Sequence, residues 1–265
     1  MNTRYRRLFA VAAATVVAVG VFPVAAMADS AGRTPKPTIV LEHGAFADGS
    51  SWNRVIAGLR RDGYPVVAAA NPLRSVASDA AALRGLIAHI DGPVILVGHS
   101  YGGSVISAAG TGNSKVKALV YVAAFLPESG ESALGLSTKF PGSTLPDALE
   151  TVNGPDGPDL YIRQDAFHHQ FAADVPARQA ALMAASQRPV AQSALEEKAP
   201  APAWREKPSW DVITTKDLNI PAAAQRFMAR RANAHITEVA ASHAVAVSHP
   251  GVVIDVIEAA ARATR

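Results

Sequence analysis

Gly98-His99-Ser100-Tyr101-Gly102-Gly103, preceded by the apolar run Pro93-Val94-Ile95-Leu96-Val97, is the stretch that decides how this chain folds. It reads G-x-S-x-G between a strand-like segment and a small-residue, helix-like segment running from Ser100 to about Gly110. That setting predicts a nucleophile elbow, a sharp strand-to-helix turn that lifts one serine hydroxyl clear of a sheet. The flanking glycines are required because a Cβ on either side would collide with the adjoining strand or helix. Ser100 is therefore the expected nucleophile.

Outward from the elbow, the chain alternates strand and helix. Thr38-Ile39-Val40-Leu41 is a β-branched run after Pro35 and Pro37, and Trp52 to Arg61 carries helical spacing up to Gly63. Tyr64 to Ala70 reads as a second strand, halted by Asn71-Pro72. Ser78-Asp79 is expected to cap a helix carrying Leu83, Leu86, Ile87 and Ile90. Beyond the elbow, Val116 to Ala124 and Trp210 to Thr215 read as strands. A helix from about Ala222 to Ala232, a strand from His235 to Val239 and a last helix from about Val252 to Ala261 follow. The strands are continuous apolar runs, the mark of a parallel sheet buried on both faces. The expected fold class is α/β, a mostly parallel sheet of about six strands flanked by helices.

The rhythm breaks between Glu128 and Pro208, where Pro, Gly and Ala accumulate and no clear strand is legible. About 80 residues are too many for an ordinary loop. They predict an inserted helical cap over 128–208, set between core segments 29–127 and 209–265 and facing a ligand at the C-terminal edge of the sheet. Ala199 to Pro208 reads as a tether leading back into the sheet. No internal repeat is present.

The first 28 residues are set apart. Arg4, Arg6 and Arg7 precede an apolar run from Leu8 to about Val24 and the small-x-small pattern Ala26-Met27-Ala28. This predicts a secretory signal peptide cut after Ala28, with the run short and Ala-rich for a membrane span. Arg6-Arg7-Leu8-Phe9 also resembles a twin-arginine signal, with Tyr5 where that pattern prefers Ser or Thr; the export route stays open. The chain holds 25 Lys+Arg against 22 Asp+Glu. The three signal arginines account for the difference, so the mature chain is formally neutral. Nothing basic remains to recommend nucleic acid or an anionic membrane as partner. Cysteine is absent, which excludes disulfides, a thiol nucleophile and Cys-ligated metal together. No His/Asp/Glu set has convincing metal-ligand spacing, and neither metal nor cofactor is expected.

A serine hydroxyl needs a base within hydrogen-bond reach, and that base needs a carboxylate to fix its tautomer. In the order Ser, acid, His, the partners belong after two later strands. Asp217 follows the strand ending at Thr215, and His243 follows the one ending near Ala240. His249 is better placed at the start of the last helix. Asp211 lies early in its strand, and Glu128 is the serious rival acid. His89 and His99 read as surface and elbow packing, and His168-His169 as a surface pair. His43-Gly44-Ala45-Phe46, directly after the first strand, can present backbone N–H groups to the site. Ala45 and Tyr101 N–H are the expected oxyanion donors. Gly44, Phe46, Tyr101, Phe125, Phe167 and Phe171 are the expected lining of an apolar pocket.

These motifs resemble the α/β-hydrolase superfamily, and within it a bacterial esterase branch similar to plant methylesterases and hydroxynitrile lyases. The resemblance rests on His43-Gly44-Ala45-Phe46 with Trp52, Asn71-Pro72-Leu73, Gly98 to Gly103, Val120-Tyr121-Val122-Ala123-Ala124-Phe125, Asp217 before Ile220-Pro221, and Ser242-His243. It covers nearly the whole mature chain and implies a Ser100–Asp217–His243 triad under a helical cap. Glu42 departs from it, standing where the family pattern usually has an apolar residue. It reads either as a partner to a nearby base or as a surface-tilted strand end. Hydroxynitrile lyases of this type carry Thr at the position of Gly44 and use a cap lysine, so Gly44 favours hydrolysis. Ser100 argues against the dehalogenase branch, which needs an Asp nucleophile. The implied function is a secreted serine esterase acting on small-molecule esters of small to medium apolar character. Perhydrolysis or cyanohydrin cleavage on the same triad, or a non-catalytic ligand-binding scaffold, are the alternatives.

Overall fold

The structure, a computed structural model, describes residues 35–264; the signal-peptide reading lies outside the described residues. The first half builds β1 (Thr38–Glu42), α1 (Asn53–Arg61), β2 (Val66–Ala69), α2 (Val76–Ala88), β3 (Val94–His99), α3 (Gly102–Ala109) and β4 (Val116–Val122). After an insertion the alternation resumes. Numbered past the insertion's own elements, these are β8 (Ser209–Thr214), α9 (Ala222–Arg231), β9 (His235–Val239), α10 (Val245–Ser248) and α11 (Pro250–Ala263). Six strands pair in the order β2-β1-β3-β4-β8-β9, each pair parallel.

The strands are unbroken apolar runs because successive residues feed two cores. Ile39, Leu41, Ile95, Val97, Val120 and Val122 pack on one side with Trp52, Leu59, Val253 and Ile257 from α1, α11 and the turn before α1. Val40, Val94, Leu96, Leu119 and Tyr121 pack on the other with Leu83, Val105 and Met228 from α2, α3 and α9. A two-residue side-chain period with both faces covered leaves no room for polar alternation.

Local starts differ from the sequence reading at two helices. Ser75, not Ser78, caps α2: its backbone is extended and its Oγ accepts the Ser78 N–H at 2.9 Å. The last helix begins at Pro250, whose missing N–H costs nothing in a first turn.

The insertion between β4 and β8 is not purely helical. It contains α4 (Ala133–Ser137), α5 (Leu145–Ala148), β5 (Leu149–Gly154), β6 (Gly157–Ile162), α6 (Gln164–Phe171), α7 (Ala177–Ser186), β7 (Val190–Ala191) and α8 (Gln192–Glu196). β5, β6 and β7 form a small antiparallel sheet, which corrects the expectation of a strand-free segment. Glu150 to Asn153 are exposed, so β5 carries no apolar signature. Backbone bonds tie the insertion to the core: Phe46 N–H to Arg188 O at 3.0 Å, Ala191 N–H to Leu73 O at 3.0 Å, and Ala244 N–H to Phe171 O at 3.0 Å. The supposed tether is pinned as well. Residues Ala203–Arg205 form a 3₁₀ turn, and the Trp204 indole donates to Pro127 O at 3.0 Å.

Candidate active site

The chain runs from β1 to β2 on one side, then crosses to β3 on the other. Such a reversal opens a crevice at the carboxyl ends of the central strands. His43-Gly44-Ala45 leaves β1 there, and Ser100 follows β3. Ser100 adopts φ +54°, a left-handed conformation that costs a non-glycine residue about 1–3 kcal/mol and is kept only where the surroundings enforce it. Its N–H donates to Val122 O at 3.3 Å, and its carbonyl accepts Gly103 N–H at 3.0 Å and Phe125 N–H at 3.1 Å. The close approach of three segments fixes the glycines. A Cβ on Gly98 would stand 2.6 Å from Gly102 O, and one on Gly102 would stand 2.6 Å from Glu42 O.

His243 sits at the end of the loop after β9, and its Nδ1 lies 2.7 Å from Asp217 Oδ2. Both side chains are essentially buried. With Nδ1–H donating to the carboxylate, Nε2 carries the free lone pair of the neutral ring. Asp217 Oδ2 also accepts Thr214 Oγ1–H at 2.9 Å and Gln225 Nε2–H at 3.1 Å. Its Oδ1 accepts the N–H groups of Asn219 at 2.8 Å and Ile220 at 3.0 Å. Burial alone would raise this carboxyl's pKa, yet the adjacent His243 and the two N–H donors hold it below the usual range. His99 packs its ring 4.7 Å from that of His243 and donates Nε2–H to His243 O at 3.0 Å. Burial, with His243 alongside, pushes its pKa down to about 3, so it stays neutral and acts as a brace.

The rival acids and histidines are engaged elsewhere. Glu128 lies at the surface against Arg205, 2.7 Å away. Asp211 is buried inside β8, opposite Tyr121 and Ile236, and burial raises its pKa well above the ordinary carboxylate value. His249 precedes α11 and faces Asp174 at 3.5 Å. His168 is held to Val175 O at 2.8 Å, and His89 and His169 are exposed.

The loop after β1 is braced rather than free. Asn71 Nδ2–H donates to His43 O at 2.8 Å, and His43 Nδ1–H donates to Gly44 O at 3.0 Å. This braced turn brings Gly44 so near the elbow that a Cβ would fall 2.6 Å from Ser100 Cβ and 3.1 Å from Tyr101 N. Gly44 thus packs on the elbow and does not line the cavity. Glu42 is 1 % exposed and its Oε2 has no hydrogen-bond partner. The surface-tilted reading of Glu42 is therefore wrong. Burial, reinforced by the Asp79 carboxylate, pushes its pKa up to about 8.

A cavity of about 320 Å³ opens over these groups, and Ser100, His243, Ala45 and Tyr101 all line it with Phe46 and Phe125. Phe167 and Phe171 do not, a correction to the sequence reading. They stack at 4.9 Å, and Phe171 packs edge-on 4.9 Å from the His243 ring. α6 turns both inward behind His243, and a sequence without helical phase could not tell that face from the cavity face. The far wall comes from Leu134, Leu145, Leu149, Leu160 and Leu195, none of which the sequence reading had singled out. Asn219 also lines the cavity; its place two residues after Asp217 was the only clue available.

The sequence profile of the alpha/beta hydrolase family matches residues 39–256. The chain belongs to this family. An alpha/beta hydrolase of Aspergillus novofumigatus, nvfD, is 27% identical over 248 residues, covering 85% of this chain and 97% of its own. A carbendazim hydrolyzing esterase of Nocardioides sp. is 36% identical over 116 residues, 38% of this chain and 47% of its own. Among solved structures, a methylesterase from Arabidopsis superposes with a TM-score of 0.72 at 18% identity, covering 85% of this chain and 99% of the other. That likeness is one of fold. Within this alpha/beta hydrolase, Ser100, His243, Ala45 and Tyr101 meet at one cavity.

Proposed function

We propose that this chain is an exported serine hydrolase that cleaves carboxylic esters of small to medium apolar substrates through an acyl-enzyme on Ser100. The observation that carries the reading is the buried Asp217–His243 pair, whose Nδ1 is committed to the carboxylate at 2.7 Å. Its ring shares the cavity with a serine held at φ +54°. His243 Nε2 takes the Ser100 proton as Oγ attacks the ester carbonyl. The carbonyl oxygen becomes an oxyanion held by Ala45 and Tyr101 N–H. The proton then passes to the leaving alkoxide, the alcohol departs, and water repeats the sequence to release the acid. Each N–H donor is worth about 3–4 kcal/mol at the transition state, and the dipole of α3 behind Tyr101 adds to the same field. The esterase relative supports ester bonds as the target class, and the leucine wall supports apolar groups on them.

Turnover of a short-chain p-nitrophenyl ester tests the reading. Ser100→Ala is expected to lower kcat on the order of 10⁴-fold; a variant that keeps its rate removes the nucleophile from Ser100. Export is proposed from Arg4, Arg6, Arg7, the apolar run and Ala26-Met27-Ala28. Recovery outside the producing cell of a chain beginning at Asp29 supports it, and retention of the full chain inside contradicts it.

A further inference from the structure

A cavity that only had to hold an apolar ester would have no use for a buried, directed amide. Asn219 is such a group. It is 3 % exposed and lines the cavity beside Ile220 and His243. Its backbone N–H is spent on Asp217 Oδ1 at 2.8 Å. Its side-chain Oδ1 accepts Gln170 Nε2–H at 2.8 Å, whereas Nδ2 has no partner.

The amide cannot be reversed. Gln170 Nε2 also donates to Leu218 O at 2.8 Å, and a carbonyl only accepts. Gln170 Oε1 accepts Thr144 Oγ1–H at 2.8 Å. Gln170 therefore presents a donor to Asn219, Asn219 must answer with Oδ1, and its NH₂ is left over. Buried donors without partners are rare because each forfeits the hydrogen bond it had with water. None of the other polar side chains on the same lining, Ser137, Thr151, Gln192 and Glu196 among them, accepts a hydrogen bond from Nδ2.

We infer that Asn219 Nδ2 donates to an acceptor oxygen that the substrate carries in addition to its scissile carbonyl. The preferred substrates are thus esters bearing a second carbonyl or ether oxygen, in a pocket lined mainly by apolar side chains. This deepens the esterase reading and rests on it. A site that hydrogen-bonds a substrate group discriminates against analogues lacking it more sharply than an apolar pocket does, because the site's own polar group is then left unpaired.

The test compares two matched ester pairs on the purified enzyme: ethyl hexanoate with ethyl 3-oxohexanoate, and butyl with 2-methoxyethyl butyrate. Wild type is set against Asn219→Leu and Asn219→Asp. The aspartate keeps an oxygen for Gln170 and replaces the donor with an acceptor, at the cost of a second carboxylate near Asp217, so it serves if the leucine variant fails to melt cooperatively. Dividing each variant's ratio of kcat/KM between pair members by the wild-type ratio cancels the intrinsic reactivity of the esters. In at least one pair, the preference for the acceptor-bearing ester is expected to fall roughly 10- to 100-fold in both variants, chiefly through KM. Ratios unmoved in both pairs overturn the inference while leaving the esterase reading intact. Failure of a fluorophosphonate to label wild-type Ser100 removes the esterase reading, and this inference with it.

Discussion

His243 Nδ1 and Asp217 Oδ2 stand 2.7 Å apart in a buried pair, and the carboxylate collects four further hydrogen bonds from Thr214, Gln225, Asn219 and Ile220. So many donors secure both the ionised state of Asp217 and its direction. Asp217→Asn keeps the volume but no longer fixes the imidazole tautomer or stabilises an imidazolium. Steady-state kinetics are expected to show kcat lower by about 10³- to 10⁴-fold with KM little changed. A loss confined to KM would mean that Asp217 shapes the pocket only.

His99 supplies an acid-side signature. Its folded pKa, about 3, lies below the ordinary 6.5. Between those values the unfolded chain binds a proton that the folded chain refuses, so stability falls as pH drops through that window. The slope is about 1.4 kcal/mol per pH unit for one such group. His99→Gln keeps an N–H for His243 O and removes the titration. Denaturant melts from pH 7 to pH 4 should be flatter for the variant than for wild type. Parallel curves would show that His99 is not held neutral.

Glu42 works in the opposite sense. Its folded pKa, about 8, lies above the ordinary 4.5. The folded chain keeps a proton that the unfolded chain has already released, so this stabilisation is complete below pH 4.5 and is lost as pH rises through 8. Glu42→Gln mimics the neutral form. Its Tm should exceed that of wild type at pH 8.5 and converge with it near pH 5; a constant difference across that range would contradict the buried, protonated state.

Cavity walls and cavity supports should separate in a chain-length profile. Leu160 lines the cavity, and Phe167 stacks behind His243 through Phe171. Leu160→Phe is expected to shift the best p-nitrophenyl acyl chain to a shorter length. Phe167→Leu should lower thermal stability, with core truncations of aromatic residues costing up to about 3–5 kcal/mol, without moving the chain-length optimum. The reverse pattern would place Phe167 in the pocket.

The parallel sheet was legible because strands buried on both faces are written as apolar runs, as in Val94 to Val97 between two cores. The elbow was legible because its glycines answer to contacts under 3 Å. β5 escaped notice because Glu150 to Asn153 are all exposed, so no run of buried apolar residues marks the strand. Phe167 and Phe171 were misplaced for the complementary reason. An aromatic in a helical segment reports burial, and only the packing of α6 decides whether it meets the cavity or His243. Asn219 carried no signal of its own, since a free Nδ2 exists only once Gln170 and Leu218 are brought together in space.

The proposed chemistry requires Ser100 to be an activated nucleophile. Mass-spectrometric mapping of the chain after treatment with a fluorophosphonate tests it most directly. A stoichiometric adduct is expected on the peptide carrying Ser100, formed far more slowly in His243→Ala. An unmodified Ser100 in the folded wild-type protein, or equal labelling in both proteins, would contradict it.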